Sequence, residues 1–179
     1  MKPRTTIILF GVFLILLVFV YLVEGPLSEK ERTMKERVVA LFPDFQKDSA
    51  GRISIKDASQ EVLLERKDAG WEIANTDGFF ADPQLVDAAL QAVAFFKQDT
   101  IASKNPEKKE IFEVVPGTGR EVIISADDQK PLAHFFMGKP SPDSFSSYLR
   151  KDGSDQVLQT TVNKTVFLKD VTGWRDKTV

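Results

Sequence analysis

The sequence predicts an α+β chain in which one N-terminal transmembrane helix precedes an antiparallel β-sheet domain with one main packed helix. Three observations predict this class: a long apolar run near the start, a strong helix-start signal in the middle, and short alternating segments separated by turns. The chain has 179 residues, with 24 Lys and Arg, 26 Asp and Glu, one His and no Cys. That length accommodates one domain of ordinary size in addition to a membrane segment.

The apolar run near the N-terminus predicts a membrane anchor. Residues 7–23 carry no charge, and with the two preceding threonines they correspond to about 28 Å of helix, close to the ~30 Å hydrocarbon core of a bilayer. A cleaved signal peptide has a shorter apolar region that ends in a small-residue cleavage site, whereas Pro26 directly follows the candidate site here. We therefore expect an uncleaved anchor over 6–24.

The charges around this run predict its orientation. Lys2 and Arg4 precede it and Glu24 follows it, so the positive-inside rule places the N-terminus, residues 1–5, in the cytoplasm. Everything after the anchor is then expected outside the cytoplasmic membrane, in the periplasm or the extracellular space. Residues 25–40 are expected to form a juxtamembrane stalk or a short helix, for which Ser28 is the predicted N-cap.

Residues 41–179 are predicted to form one extracytoplasmic α+β domain. Segments 52–56 and 61–66 alternate apolar and polar residues around a turn-rich stretch, which predicts a hairpin. Segment 71–74 is a third predicted strand, and Trp71 is expected to pack on the buried face of the sheet. Further strands are predicted at 99–103, 121–125, 132–137, 146–150 and 156–160.

The main helix is predicted to start at Asp82-Pro83, because Asp at the N-cap accepts backbone N–H bonds and Pro at the first position loses none. Its apolar face is expected to reach about Lys97. That face is predicted to comprise Leu85, Val86, Ala89, Leu90, Val93 and Phe96, widened by Ala88, Ala92 and Phe95.

Motifs for chemistry are weak in this sequence. The net charge of −2 and the interspersed acids and bases argue against nucleic-acid binding, and a single His with no Cys argues against a zinc site. Gly138-Lys139-Pro140-Ser141 lacks the spacing of a phosphate-binding loop, and His134 is expected at a plain sheet position. We therefore predict no catalytic residue, no cofactor and no metal.

Several segments, in order, resemble the bacterial domain-of-unknown-function family numbered 4340. They are GWEI (70–73), FAD (80–82), IASKNPEK (101–108), FEV (112–114), FMGK (136–139), SYLR (147–150) and GWRDK (173–177). The resemblance implies membrane association through one N-terminal helix and an occasional link with proteins of transporter or gliding-motility type. It assigns no catalytic residue.

The expected function is that of a single-pass, membrane-anchored extracytoplasmic binding or accessory module, without enzymatic activity. Its expected partner is a protein of the envelope, in an envelope or transporter-like complex. Phe79 and Phe80, which follow Asp77-Gly78 in a loop, are the predicted contact residues, with core burial of one ring as the alternative. The alternative function is an envelope hydrolase that acts on glycan or peptide through carboxylates.

Overall fold

The protein is described by a computed structural model that covers residues 12–16, 18, 20, 39–74, 76–98, 100–168 and 170–177. Residues 1–38 and 39–179 form two separate compact units. In the first unit, residues 12–16, 18 and 20 are helical and exposed, and the rest of the predicted anchor and residues 25–38 of the predicted stalk lie outside the described residues. Residues 39 and 40, the end of the predicted stalk, belong to the second unit. None of the helices among the described residues has the length and apolar content needed to cross a bilayer.

The second unit is built on one eight-stranded sheet, in the order β3-β2-β1-β5-β6-β7-β8-β4. The strands are β1 Arg52–Lys56, β2 Glu61–Lys67, β3 Gly70–Ile73, β4 Ile101–Ser103, β5 Arg120–Ser125, β6 Pro131–Pro140, β7 Ser147–Lys151 and β8 Val157–Thr160. All neighbouring strands are antiparallel, which confirms the predicted sheet type.

Pairing of distant segments determines the strand order. The predicted hairpin is present, with Ser54 of β1 opposite Leu63 of β2. On its other side β1 pairs with β5, and Ser54 lies opposite Ile123. β4 pairs with β8 and therefore ends the sheet, although it precedes β5 in the chain.

Helix α1, Pro83–Ala94, begins as predicted, because the Asp82 carboxylate accepts the Gln84 backbone N–H at 2.8 Å. The predicted end near Lys97 is wrong. The chain leaves the helix at Phe95 and becomes extended, so that Lys97 forms a β-bridge with Ala40.

This early end changes the predicted apolar face. Phe96 is buried as expected, but Phe95 is 63% exposed and Ala88 also faces solvent. The inclusion of Phe95 and Ala88 in the buried face was therefore wrong. A helix that stops at Ala94 no longer constrains Phe95 to the packed side.

The main core lies between one face of the sheet and α1. Phe135 of β6 contacts the rings of Phe42, Phe96 and Phe167, at centroid distances of 5.1–5.8 Å. The short C-terminal helix α2, Val171–Trp174, closes this core with the fully buried Trp174. Trp71 packs against the same core but is partly exposed, so its predicted position is only partly correct.

A smaller cluster of Val114, Phe136 and Val157 covers part of the opposite sheet face. Arg150 holds the segment that contains Val114 against the sheet. Its Nε donates to the Val114 carbonyl at 2.8 Å, and its guanidinium carbon lies 4.4 Å from the centre of the Phe136 ring. Burial lowers the pKa of Arg150 from its ordinary value. The same face also carries polar side chains, as expected where an antiparallel sheet meets water.

The two ends of the sheet differ. Beside β3, Glu72 bridges to Phe80, and Ala81 in turn bridges to Arg175. Segment 79–81 therefore covers the β3 edge. Among the described residues, β4 has β8 as its strand partner at the other end.

Candidate interaction surfaces

The predicted contact residues Phe79 and Phe80 lie at the β3 end of the sheet. The carbonyl of Phe79 accepts the Ile73 N–H at 2.8 Å, and that of Phe80 accepts the Asp176 N–H at 2.9 Å. Phe79 and Phe80 are 40% and 42% exposed. Neither ring is therefore buried in the core, contrary to the alternative expectation that one of them is. Backbone hydrogen bonds thus hold two exposed aromatic residues in a fixed position.

Arg175 completes this group, which we call the Phe79 surface (Phe79, Phe80 and Arg175). Its guanidinium carbon lies 3.5 Å from the centre of the Phe79 ring, a cation–π contact of about 0.5–1 kcal/mol at an exposed site. The position of Arg175 depends on the preceding Trp174, whose Nε1–H donates to the Leu168 carbonyl at 2.8 Å. The C-terminal segment therefore helps to shape the surface.

A second apolar group lies at the β4 end of the sheet and was not predicted. It consists of Val39, Phe95, Ile101 and Phe145, which are 54%, 63%, 43% and 83% exposed; we call it the Phe145 surface. Phe95 and Phe145 line one pocket of about 250 Å³.

Neighbouring residues place the backbone of Val39 and of Ile101 close to this pocket. Lys97 and Thr100 line the same pocket as the two rings. The Val39 carbonyl accepts the N–H of Gln98, the residue next to Lys97, at 2.9 Å, and Ile101 follows Thr100 in the chain.

Asp143 fixes the loop that carries Phe145. Its carboxylate accepts the hydroxyls of Ser141 and Ser146, both at 2.6 Å, and the backbone N–H groups of Phe145 and Ser146, both at 3.0 Å. These hydrogen bonds, first the one from the Ser141 hydroxyl and then the one from the Ser146 hydroxyl, hold the pKa of Asp143 well below its ordinary value. Gln159 of β8 adds a hydrogen bond to the Ser146 hydroxyl at 2.9 Å. The loop therefore presents Phe145 from a rigid base.

His134 lies on the partly polar sheet face, between two carboxylates. Its Nε2 is 2.8 Å from Glu121 Oε1, and its Nδ1 is 3.2 Å from Asp152 Oδ2. The predicted sheet position is confirmed, because His134 lies in β6 opposite Ile123. Its two carboxylate partners come from β5 and from the turn after β7, and no sequence-near residue indicated them. The described residues contain no group of three or more acids and histidines placed to hold a metal ion.

The Phe145 surface escaped prediction for a local reason. Phe95 continues the apolar period of α1, so its sequence position resembles a core position. Phe145 lies among serines and Asp143. An isolated aromatic residue in a polar loop is the sequence signal that could have identified this surface.

The sequence model of one family, described as Domain of unknown function (DUF4340), matches residues 71–179. This range starts within β3 and includes α1, β4–β8 and the C-terminal segment, and therefore both aromatic surfaces except Val39. No curated protein and no solved structure matches the chain.

Proposed function

Because the chain belongs to the DUF4340 family, whose description assigns no activity, we propose a function from the chain's own features. The protein is a single-pass, membrane-anchored accessory module of the bacterial envelope. It acts without catalysis, and it binds a protein partner outside the cytoplasmic membrane through the Phe79 surface.

The anchor is supported by the sequence of residues 7–23, which is uncharged and long enough to reach across most of a hydrocarbon core. Lys2 and Arg4 on its N-terminal side favour a cytoplasmic N-terminus and an external domain. This arrangement would keep the domain at the membrane, where an envelope partner is available at high effective concentration.

The observation that carries the binding proposal is the fixed, exposed pair Phe79 and Phe80 with Arg175 beside it. Aromatic and Arg side chains are enriched at the centres of protein interfaces, where a few residues carry most of the binding energy. The backbone hydrogen bonds of Phe79 and Phe80 restrict the segment before any partner arrives. A preformed surface of this kind suits a protein partner.

The membrane topology has a direct test. The native chain has no Cys, so a Ser154→Cys variant carries one thiol, in the turn after β7. We expect this thiol to react with a membrane-impermeant reagent in intact cells. Protection there, followed by labelling once the cells are opened, would place the domain in the cytoplasm and refute the proposal.

The binding surface is tested by crosslinked co-purification of the full chain from intact membranes. We expect a Phe79→Asp/Phe80→Asp variant to lose the partner captured by the native protein. Ile111→Asp is the matched control, because Ile111 is a comparably exposed apolar residue, at 58%, outside both aromatic surfaces. Equal capture by a folded double variant would exclude the Phe79 surface as the contact site.

Replacement of residues 5–24 by an unrelated membrane helix separates two sources of recognition. If binding belongs to the domain, this variant keeps the partner. Loss of the partner would transfer recognition to the native membrane segment, contrary to the proposal.

The hydrolase alternative has one observation in its favour, the pair of carboxylates on His134. Glu121 and Asp152 both contact the imidazole, so a proton-transfer role is chemically available to the group. The test is turnover of cell-wall glycan and peptide fragments by the full chain, with Glu121→Gln as the comparison. Turnover no higher than that of a heat-treated sample would count against this alternative.

A further inference from the structure

The Phe145 surface is the part of the domain at which the chain enters from its N-terminal side. Val39, the first described residue of the domain, belongs to this surface, and its carbonyl accepts a hydrogen bond from Gln98 in the segment after α1. The surface therefore combines exposed apolar side chains with the point of attachment to everything that precedes it.

The length of chain before Val39 limits the distance between this surface and the predicted anchor. Residues 24–38 are 15 residues, whose maximum reach when fully extended is about 50 Å. A site tethered so closely meets the bilayer surface at an effective concentration of about millimolar, so even a weak contact is populated.

The side chains at this surface have the chemistry of a membrane interface. Phe95 and Phe145 are 63% and 83% exposed, and Phe is among the residues that membrane-surface helices bury at the boundary of headgroups and acyl chains. Lys97 lines the pocket between the rings and provides a cation for lipid phosphate. The Asp143 carboxylate accepts hydrogen bonds from its own loop.

The strand order places the Phe79 surface away from this surface. Phe80 bridges to β3, whereas Thr100 of the pocket directly precedes β4, and these two strands are the opposite ends of an eight-stranded sheet. Helix α1, Pro83–Ala94, joins Phe80 to Phe95 and is about 18 Å long, so these two residues lie beyond its opposite ends. Contact of one end with a bilayer leaves the other end free for a partner.

We infer that the Phe145 surface rests on the outer face of the membrane that holds the anchor, with the Phe95 and Phe145 rings in the lipid interface. This inference rests on the proposed function, because it requires the anchor and the external domain. It assigns the bilayer as the ligand of the Phe145 surface and gives the domain a fixed orientation.

The test uses the full chain in vesicles of equal parts phosphatidylcholine and phosphatidylglycerol. A nitroxide is attached to Ser144→Cys, beside Phe145, or to Asp77→Cys, near the Phe79 surface; both positions are exposed. Collision of each label with oxygen, which concentrates in lipid, is compared with its collision with a water-soluble nickel chelate. We expect the ratio of oxygen to nickel collisions to be several-fold higher at position 144 than at position 77.

A second variant tests the role of the rings. Phe95→Ala/Phe145→Ala in the Ser144→Cys background is expected to lower the collision ratio to that of position 77, while the domain stays folded because both rings are exposed. An unchanged ratio would show that the rings do not hold the surface at the lipid.

Two results would overturn the inference. Equal collision ratios at positions 144 and 77, with the chain still floating with the vesicles, would leave the surface in water. Spin–spin broadening at position 144 without an oxygen preference would assign the surface to a second copy of the chain. Failure of the chain to float with vesicles would instead refute the anchor and with it the proposed function.

Discussion

Removal of the Trp174 side chain is predicted to be one of the most damaging single changes in the domain. The residue is fully buried in the main core, and its indole N–H donates to the Leu168 carbonyl at 2.8 Å. Trp→Ala changes at fully buried positions lower the free energy of unfolding by about 3–5 kcal/mol. For a domain of this size, each kcal/mol lowers the midpoint by about 2–4 °C, so we expect a fall of roughly 10 °C in Trp174→Ala.

Two comparison variants divide this loss into its causes. Trp174→Phe keeps most of the apolar volume but leaves the Leu168 carbonyl without its donor, so we expect a loss of about 1–3 kcal/mol. Trp71→Ala removes the same side chain from a partly exposed position, and we expect about 1–2 kcal/mol.

The assay is thermal unfolding of the full chain in detergent micelles, followed by circular dichroism. The expected order of midpoints is native, then Trp71→Ala and Trp174→Phe, then Trp174→Ala as the lowest. If Trp174→Ala unfolds no earlier than Trp71→Ala, the docking of the C-terminal segment against the core is wrong. The position of Arg175 in the Phe79 surface would then lose its structural basis.

Three further predictions concern the opposite sheet face and the Phe145 loop. Gly138→Ala is expected to lower the free energy of unfolding by about 1–3 kcal/mol, because the added Cβ would overlap the Phe112 carbonyl and lie 2.8 Å from Val114 Cγ1. Urea unfolding measures this change, and an unchanged free energy of unfolding would contradict the close packing around Gly138. Arg150→Met keeps an apolar stem but removes the donor to the Val114 carbonyl, so we expect faster amide hydrogen exchange in segment 109–115 and unchanged exchange in α1. Since the pKa of Asp143 is lowered by its hydrogen bonds, its contribution to stability is fully present above the ordinary carboxyl pKa of about 4 and is lost as the pH falls below it. Asp143→Asn should therefore show a weaker loss of stability between about pH 4 and pH 2 than the native protein, in unfolding midpoints measured across that range.

Local signals were sufficient for the elements whose causes are local. Asp82-Pro83 fixed the start of α1, because a cap depends on residues within one turn. The hairpin of β1 and β2 followed from alternation on both sides of a turn, and the strands predicted at 121–125 and 132–137 correspond to β5 and β6.

Features that depend on distant partners were not predictable in the same way. The end of α1 depends on Ala40, which pairs with Lys97 and so draws the chain out of the helix before the apolar period stops. The environment of His134 depends on Glu121 and Asp152, which lie on other elements. A single sequence contains no alternation or cap that would reveal either contact.

The same distinction between local signals and distant partners applies to the two candidate surfaces. Phe79 and Phe80 were recognised because they follow Gly78 in a loop, and the structure has both exposed. Phe95 required knowledge of where the helix stops, and its neighbour Phe145 required knowledge of which loop lies beside it.

Because β1 pairs with β5, the sheet is completed late in the synthesis and folding of the chain. β5 follows β2, β3, α1 and β4 in the sequence, so the centre of the sheet closes only after all of these have been made and loop-closure entropy has been overcome. Until then β1 keeps one unpaired edge, on a strand whose alternate residues Ile53 and Ile55 belong in the core. A chain interrupted before Arg120 is therefore expected to aggregate and not to form a smaller stable domain.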